Sequence, residues 1–246
     1  HGICKHASLA FAFLSVVTLA QNDLKNAQRY ANLAMTILDR TNGHGSGGLT
    51  YCICASLSRS WNAKASQMIG LFHQGYHGSM GHGDLESGFV CAFLSLIGAC
   101  HDGYPLQMVD RAFNIQTNEM KLYNVSSFIH VINQFKQLLP VLLAEQIADW
   151  EQIALFGDTT QSVTGNLDPI SEKELFFPLV HGFVLRMQLS VLSSKFEIGD
   201  RLSKKLHKLN LRNDPTYEIR TTVPLYTGLI AAGRYRETKN KKYLRQ

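Results

Sequence analysis

Residues 4 to 20 (CKHASLAFAFLSVVTLA) are apolar almost all round, a pattern that predicts a helix buried between neighbours rather than one with a wet face. Residues 24 to 41 read differently. There Ala27, Tyr30, Ala31, Ala34, Ile37 and Leu38 recur at intervals of three and four, while Lys25, Asn26, Gln28, Arg29 and Asn32 fill the opposite side. This is an amphipathic helix whose apolar stripe is built largely of alanine. Small residues at helical spacing let two helix axes approach below the usual ~8–10 Å. Asn22-Asp23 separates the two segments, and either side chain can accept hydrogen bonds from the free N–H groups that open the second helix.

Similar short breaks stand at Gly83-Asp84 and Gly199-Asp200, and they organise the remaining pattern into helical hairpins. A second hairpin is predicted over Leu49 to Trp61 and Ala65 to Met80, entered through a glycine-rich link, Gly43 to Gly48, that lacks the Lys-Ser/Thr of a phosphate-binding loop. The third takes Leu85 to Ala99 and Pro105 to Glu119, joined by His101-Asp102-Gly103-Tyr104-Pro105, with Gly to end one helix and Pro to open the next. Residues 122 to 143 and 145 to 156 form a fourth pair, in which Pro140 is expected to kink or break the first helix. Residues 157 to 170 are polar and rich in turn formers and read as a surface loop or linker.

Beyond it, Ser171 and Glu174 match a capping box that starts a long apolar helix, with a kink expected at Pro178. Glu197 to Asn210 follows at the third break, and Asp214-Pro215 opens a last helix from Thr216 to about Tyr235. No segment reads as a strand. The expected fold is therefore all-α, with hairpins over residues 1–156 and their continuation over 171–246 in what is read as the same domain.

The charge changes this picture little. The 246 residues carry a formal +5, with a pI near 8.9, and much of the excess sits in Arg201 to Lys208 and Arg234 to Arg245. Neither cluster interleaves aromatic side chains as a nucleic-acid groove would, so nucleic-acid binding is not expected. Cys4, Cys52, Cys54, Cys91 and Cys100 are odd in number and scattered through apolar stretches, which suits reduced, buried thiols and a cytoplasmic setting. The apolar run Ala7 to Ala20 lacks the initiator Met and basic leader of a signal peptide, and fourteen residues fall short of the ~20 that span a bilayer. His1 suggests a fragment of something longer.

Candidate chemistry is sparse. His73 and His77 are four apart on one helical face, the spacing at which two imidazoles bind one metal, but no Glu follows His73 to complete H-E-x-x-H, and His82 and Asp84 belong to a glycine turn. His73, His101-Asp102 and Asp149 follow the order of a His-Asp metal phosphohydrolase, although the dyad falls in a turn. Cys52-x-Cys54 is one residue short of a redox pair, and no G-x-S-x-G elbow is present. Asn124-Val-Ser126 matches a glycosylation sequon by chance. Trp61 and Trp150 read as packing anchors rather than stacking platforms. No cofactor or metal is expected.

Several of these features also occur together in one known context. Ala27 to Leu38, Trp61, Gly83-Asp84, Gly103-Tyr104-Pro105-Leu106 and Gln134 to Leu139 stand in a characteristic order, continued by Phe176 to Phe196, Gly199-Asp200, Leu225 to Leu229 and Lys242-Tyr243-Leu244. In this the chain resembles the tetratricopeptide-like helical region of large signalling kinases that combine a serine/threonine-kinase-like domain, a STAND-type AAA ATPase, a GAF domain and often a histidine kinase. The motifs are degenerate: the Asp residues of the three breaks lie 61 and 116 residues apart, so a unit of ~34 residues is not kept.

The resemblance implies an irregular α-α superhelix of tetratricopeptide-like hairpins, non-catalytic itself, that serves as a regulatory interaction segment of an ATP-dependent signalling protein. Neighbouring domains or a protein or peptide partner would bind it. Asn26, Arg29 and Asn32, on the polar face of the second helix, are the predicted contacts. Two other readings remain: a superhelix that binds a small effector, as in STAND-type regulators, and an all-helical metal-dependent phosphohydrolase built on His73, His101 and Asp102.

Overall fold

The computed structural model describes residues 4, 6–41, 47–59, 63–125, 129–143, 149–158, 172–209 and 221–244, and every regular element among them is helical. One unit holds α1 (Ala7–Ala20), α2 (Leu24–Arg40), α3 (Gly47–Ile53, continued as a π-helix over Cys54–Arg59), α4 (Ala65–Gly81), α5 (Leu85–His101) and α6 (Leu106–Leu122). The other holds α7 (Ile129–Leu142), α8 (Trp150–Ala154), α9 (Glu172–Leu192), α10 (Phe196–His207), α11 (Val223–Thr238) and a short 3-10 turn, Lys241–Leu244. No described helix is long and apolar enough to cross a membrane.

A single device closes five of the chain reversals. Asn22, Gly83, Gly103, Asn124 and Ser194 all have φ between 54° and 81°. The N–H of each reaches the carbonyl three residues back, and the next N–H reaches the carbonyl five residues back: Asn22 to Leu19 and Asp23 to Thr18, Gly83 to Met80 and Asp84 to Ser79, and likewise at the other three. These are Schellman closures, in which a left-handed residue turns the last carbonyls of a helix back onto the chain. Asp23 and Asp84 then serve twice. Their backbone N–H closes one helix while their carboxylate accepts the N–H of Asn26 or Ser87 and caps the next. The Asn26 side chain donates to the second oxygen of Asp23 at 2.7 Å, and these bonds hold the Asp23 carboxyl below the usual carboxylate range.

Asn22, Gly83, Gly103 and Asn124 are 61, 20 and 21 residues apart, and α2, α4, α5 and α6 each have 17 residues. The long interval spans three helices. Asn22-Asp23 and Gly83-Asp84, two of the expected breaks, fall at such positions, and from Gly83 to Asn124 the chain steps by about one helix and turn every 20 residues. Ser194 is the one left-handed position of the five held by neither Gly nor Asn. Ser194→Gly is expected to raise stability by about 0.5–1 kcal/mol, read by urea denaturation, because glycine removes the Cβ strain of this conformation.

Three expectations need correction. Gly199-Asp200 is not a break but lies inside α10, where a Cβ on Gly199 would come within 3 Å of Ser190 and Ile230. Glycine is there for helix approach, and Asp200 is buried, bonded to Lys204 at 2.6 Å and to the Tyr243 hydroxyl at 3.4 Å. The actual break is Ser193-Ser194-Lys195. The helix expected from residue 122 likewise starts at Ile129, because Asn124 turns left-handed; it ends two residues after Pro140, in its last turn.

The third concerns α1, which is not buried between neighbours. Ser8, Ala12, Ser15 and Leu19 are buried, but Phe13, Leu14 and Val17 are 51%, 40% and 54% exposed. Its inner face meets Ala31, Ala34 and Met35 of α2 and Ile53 and Cys54, a cluster of small buried residues that matches the alanine stripe. Of the cysteines, Cys54 and Cys91 are buried and Cys52 and Cys100 half-buried, whereas Cys4 is exposed, outside any helix. Trp61, the 159–170 loop, the Ser171 cap and the Asp214-Pro215 start lie outside the described residues.

In the second unit, α9 is apolar on nearly every side and is packed by α7, α10 and α11. Phe156, Phe183, Met187, Leu202, Leu206 and Ile230 form the core, and half-buried Trp150 lies against it with Lys195 over its ring. The basic run of α10 is used internally: Lys204 pairs with Asp200, Arg201 with Glu197, and Lys205 reaches Asp158 at 2.7 Å and the carbonyls of Ala154 and Phe156.

Candidate functional site

Three helices of the first unit surround a cleft of about 250 Å³. Each contributes a stripe at helical spacing: His73, Tyr76 and His77 from α4, Ala92, Ser95 and Leu96 from α5, and Ala112, Ile115, Gln116 and Glu119 from α6. Ala92 and Ser95, the small residues of α5, form the floor. Two walls and a floor of this kind follow from the hairpin order, since α5 packs on both α4 and α6 and holds them on either side of itself.

The polar groups converge. The Tyr76 hydroxyl donates to Glu119 Oε2 across the cleft at 3.4 Å, long beside the 2.5–2.7 Å of a close hydroxyl–carboxylate bond. Burial, with the Glu119 charge second, pushes the Tyr76 phenol up, so it stays a donor at neutral pH. The Tyr76 and His77 rings meet edge to face at 5.2 Å. Gln116 is 4% exposed; its amide nitrogen donates to the Phe89 carbonyl at 3.0 Å, which fixes which end of the amide is oxygen, and that oxygen, Oε1, has no partner. Among the described residues, no lysine or arginine lines the cleft.

The predicted residues fall in different places. His73 and His77 share a face of α4, as their spacing predicted, and both reach the cleft. Among the described residues, no three His, Cys, Asp or Glu side chains lie close enough to hold a metal ion. Asp102 is exposed at the C-terminal cap of α5, and His82 Nδ1 lies 2.7 Å from the Gly78 carbonyl. Asn26 is taken up by the Asp23 cap, while Arg29 and Asn32 are exposed on the outer face of α2. Glu119 and Gln116 were not singled out by the sequence; their signal was an i, i+3 polar pair interrupting the apolar face of α6.

Comparison with known proteins finds no matching family model, no matching curated protein and no matching solved structure.

Proposed function

We propose that this chain is a helical-repeat scaffold, a tetratricopeptide-like superhelix that acts as the regulatory interaction segment of a larger ATP-dependent signalling protein of the kinase type. The observation that carries this reading is the outer face of α1. A helix apolar on all sides belongs between two neighbours, and α5, of the same character, has α4 on one side and α6 on the other. In contrast, α1 leaves Ala10, Phe13, Leu14 and Val17 in solvent, an i, i+3, i+4, i+7 stripe of the kind that receives another helix. The repeated Schellman closures support the same reading, because they make successive helices interchangeable steps of one array. The step of about 40 residues per hairpin, measured from Gly83 to Asn124, exceeds the ~34 of the tetratricopeptide consensus.

In this role the α1 stripe receives an adjacent helical hairpin of the parent chain, and Arg29 and Asn32 border that contact. Side-chain footprinting tests it: Phe13 and Val17 are expected to be labelled several-fold less in the parent protein than in this segment alone. Equal labelling in both would overturn the reading. Reading the coding sequence on both sides tests the parentage, with an AAA-type ATPase expected upstream and a sensor or kinase domain downstream.

A further inference from the structure

The α4–α5–α6 cleft has no part in that scaffold role, and its chemistry is one-sided. The charged group it offers is the part-buried carboxylate of Glu119 on α6. The Tyr76–Glu119 contact, at 3.4 Å, leaves the carboxylate with most of its accepting capacity unused. Around these groups Leu96 and Ile115 supply apolar wall, and Ile115 is 61% exposed at the mouth. The volume, at roughly 20–30 Å³ per non-hydrogen atom, takes about ten such atoms.

From these features we infer that the cleft is a binding site for a small organic cation, a primary amine with a compact apolar body. Its ammonium group donates to Glu119, and its body lies between Leu96 and Ile115. An ammonium has three donors and no acceptor, so it matches the unused accepting capacity of the Glu119 carboxylate. An anion of the same shape meets Glu119 with like charge and finds no lysine or arginine among the described lining residues in compensation. His73 and His77 flank this position from α4.

The test compares three probes on the full chain by heteronuclear NMR titration: 2-phenylethylamine, 2-phenylethanol and phenylacetate. The expected result is saturable binding of the amine, with shifts confined to α4, α5 and α6, and at least tenfold weaker binding of the alcohol and the acid. Glu119→Gln, isosteric and part-exposed, is expected to weaken the amine about tenfold and leave the alcohol unchanged. Ile115→Arg, at an exposed position, is expected to abolish amine binding. Binding of phenylacetate or 2-phenylethanol as tight as that of the amine overturns the assignment. So does an unchanged amine affinity in Glu119→Gln, or the absence of any shift in the three helices at 10-millimolar amine, on the order of the weakest useful fragment affinities.

Discussion

Replacing Arg186 with alanine is expected to destabilise the second unit by about 3–5 kcal/mol, the largest effect of any single substitution considered for this chain. Arg186 is 5% exposed on α9, with its guanidinium 3.9 Å from the centre of the Phe156 ring. It donates to Gln134 Oε1 and Gln137 Oε1, both at 3.0 Å, and to the Gly182 carbonyl at 3.2 Å. No carboxylate is among these partners, so a full positive charge is held by neutral dipoles and an aromatic face. Burial pushes its pKa down to about 10, which leaves it charged at neutral pH.

The sign follows from linkage. A base whose folded pKa lies below its unfolded value is bound less tightly by protons in the folded state, so its charge opposes folding at neutral pH, by roughly 3 kcal/mol at 1.36 kcal/mol per pKa unit. That opposition is relieved only as pH rises above about 10. Arg186→Met therefore separates the effects. It keeps most of the packing against Phe156 and removes the buried charge, while Gln134 loses its guanidinium partner, which costs about 1–3 kcal/mol. The two changes offset, and the Met variant is expected within about 1 kcal/mol of the parent. Urea denaturation of both variants decides the matter. Equal losses in Met and Ala would show that the guanidinium bonds, rather than packing, hold this site.

Gly182→Ala is expected to cost about 1–3 kcal/mol, against the gain of about 0.8–1 kcal/mol that alanine brings to an open helix position. One turn before Arg186 on α9, a Cβ at Gly182 would come within 3 Å of the Phe156 ring and 3.1 Å of Gln134 Oε1. The ring cannot move freely, since Phe183 packs edge to face against it at 5.0 Å and Arg186 covers its face. Overpacking wins over propensity for that reason. Gly70, with nothing near its Cβ position on α4, is the internal control and is expected to gain stability as alanine. A double-mutant cycle with Phe156→Leu is expected to recover part of the Gly182→Ala loss. Simple additivity would place the clash elsewhere.

Much of the first unit was legible because its boundaries are written locally. Asp23 and Asp84 cap helices through bonds to residues three positions on, and the alanine stripe of α2 follows the 3.6-residue period, so neighbouring sequence is enough to find them. Gly199-Asp200 misled for the converse reason. The same dipeptide makes a turn when glycine supplies a positive φ and makes a helix contact when its missing side chain admits Ser190 and Ile230; only the tertiary neighbours distinguish the two. The cleft was half legible. The spacing of His73 and His77 put them on one face, but Gln116 and Glu119 join them only through the packing of α5. Arg186 gave no sign at all, since its partners Gln134 and Gln137 lie about fifty residues earlier and none carries charge.

The five left-handed turns also bear on how the chain acquires its shape. Each is closed by hydrogen bonds that reach back no more than five residues, so a helix end can reverse as soon as its own turn exists, without waiting for distant segments. In the first unit the helices that follow one another at these turns also pack together: α1 with α2, α4 with α5, α5 with α6. Contacts so local in sequence favour rapid folding, and they suit a polypeptide emerging from the ribosome one end first. Each such helix then has a surface to dock on as soon as the preceding one has formed.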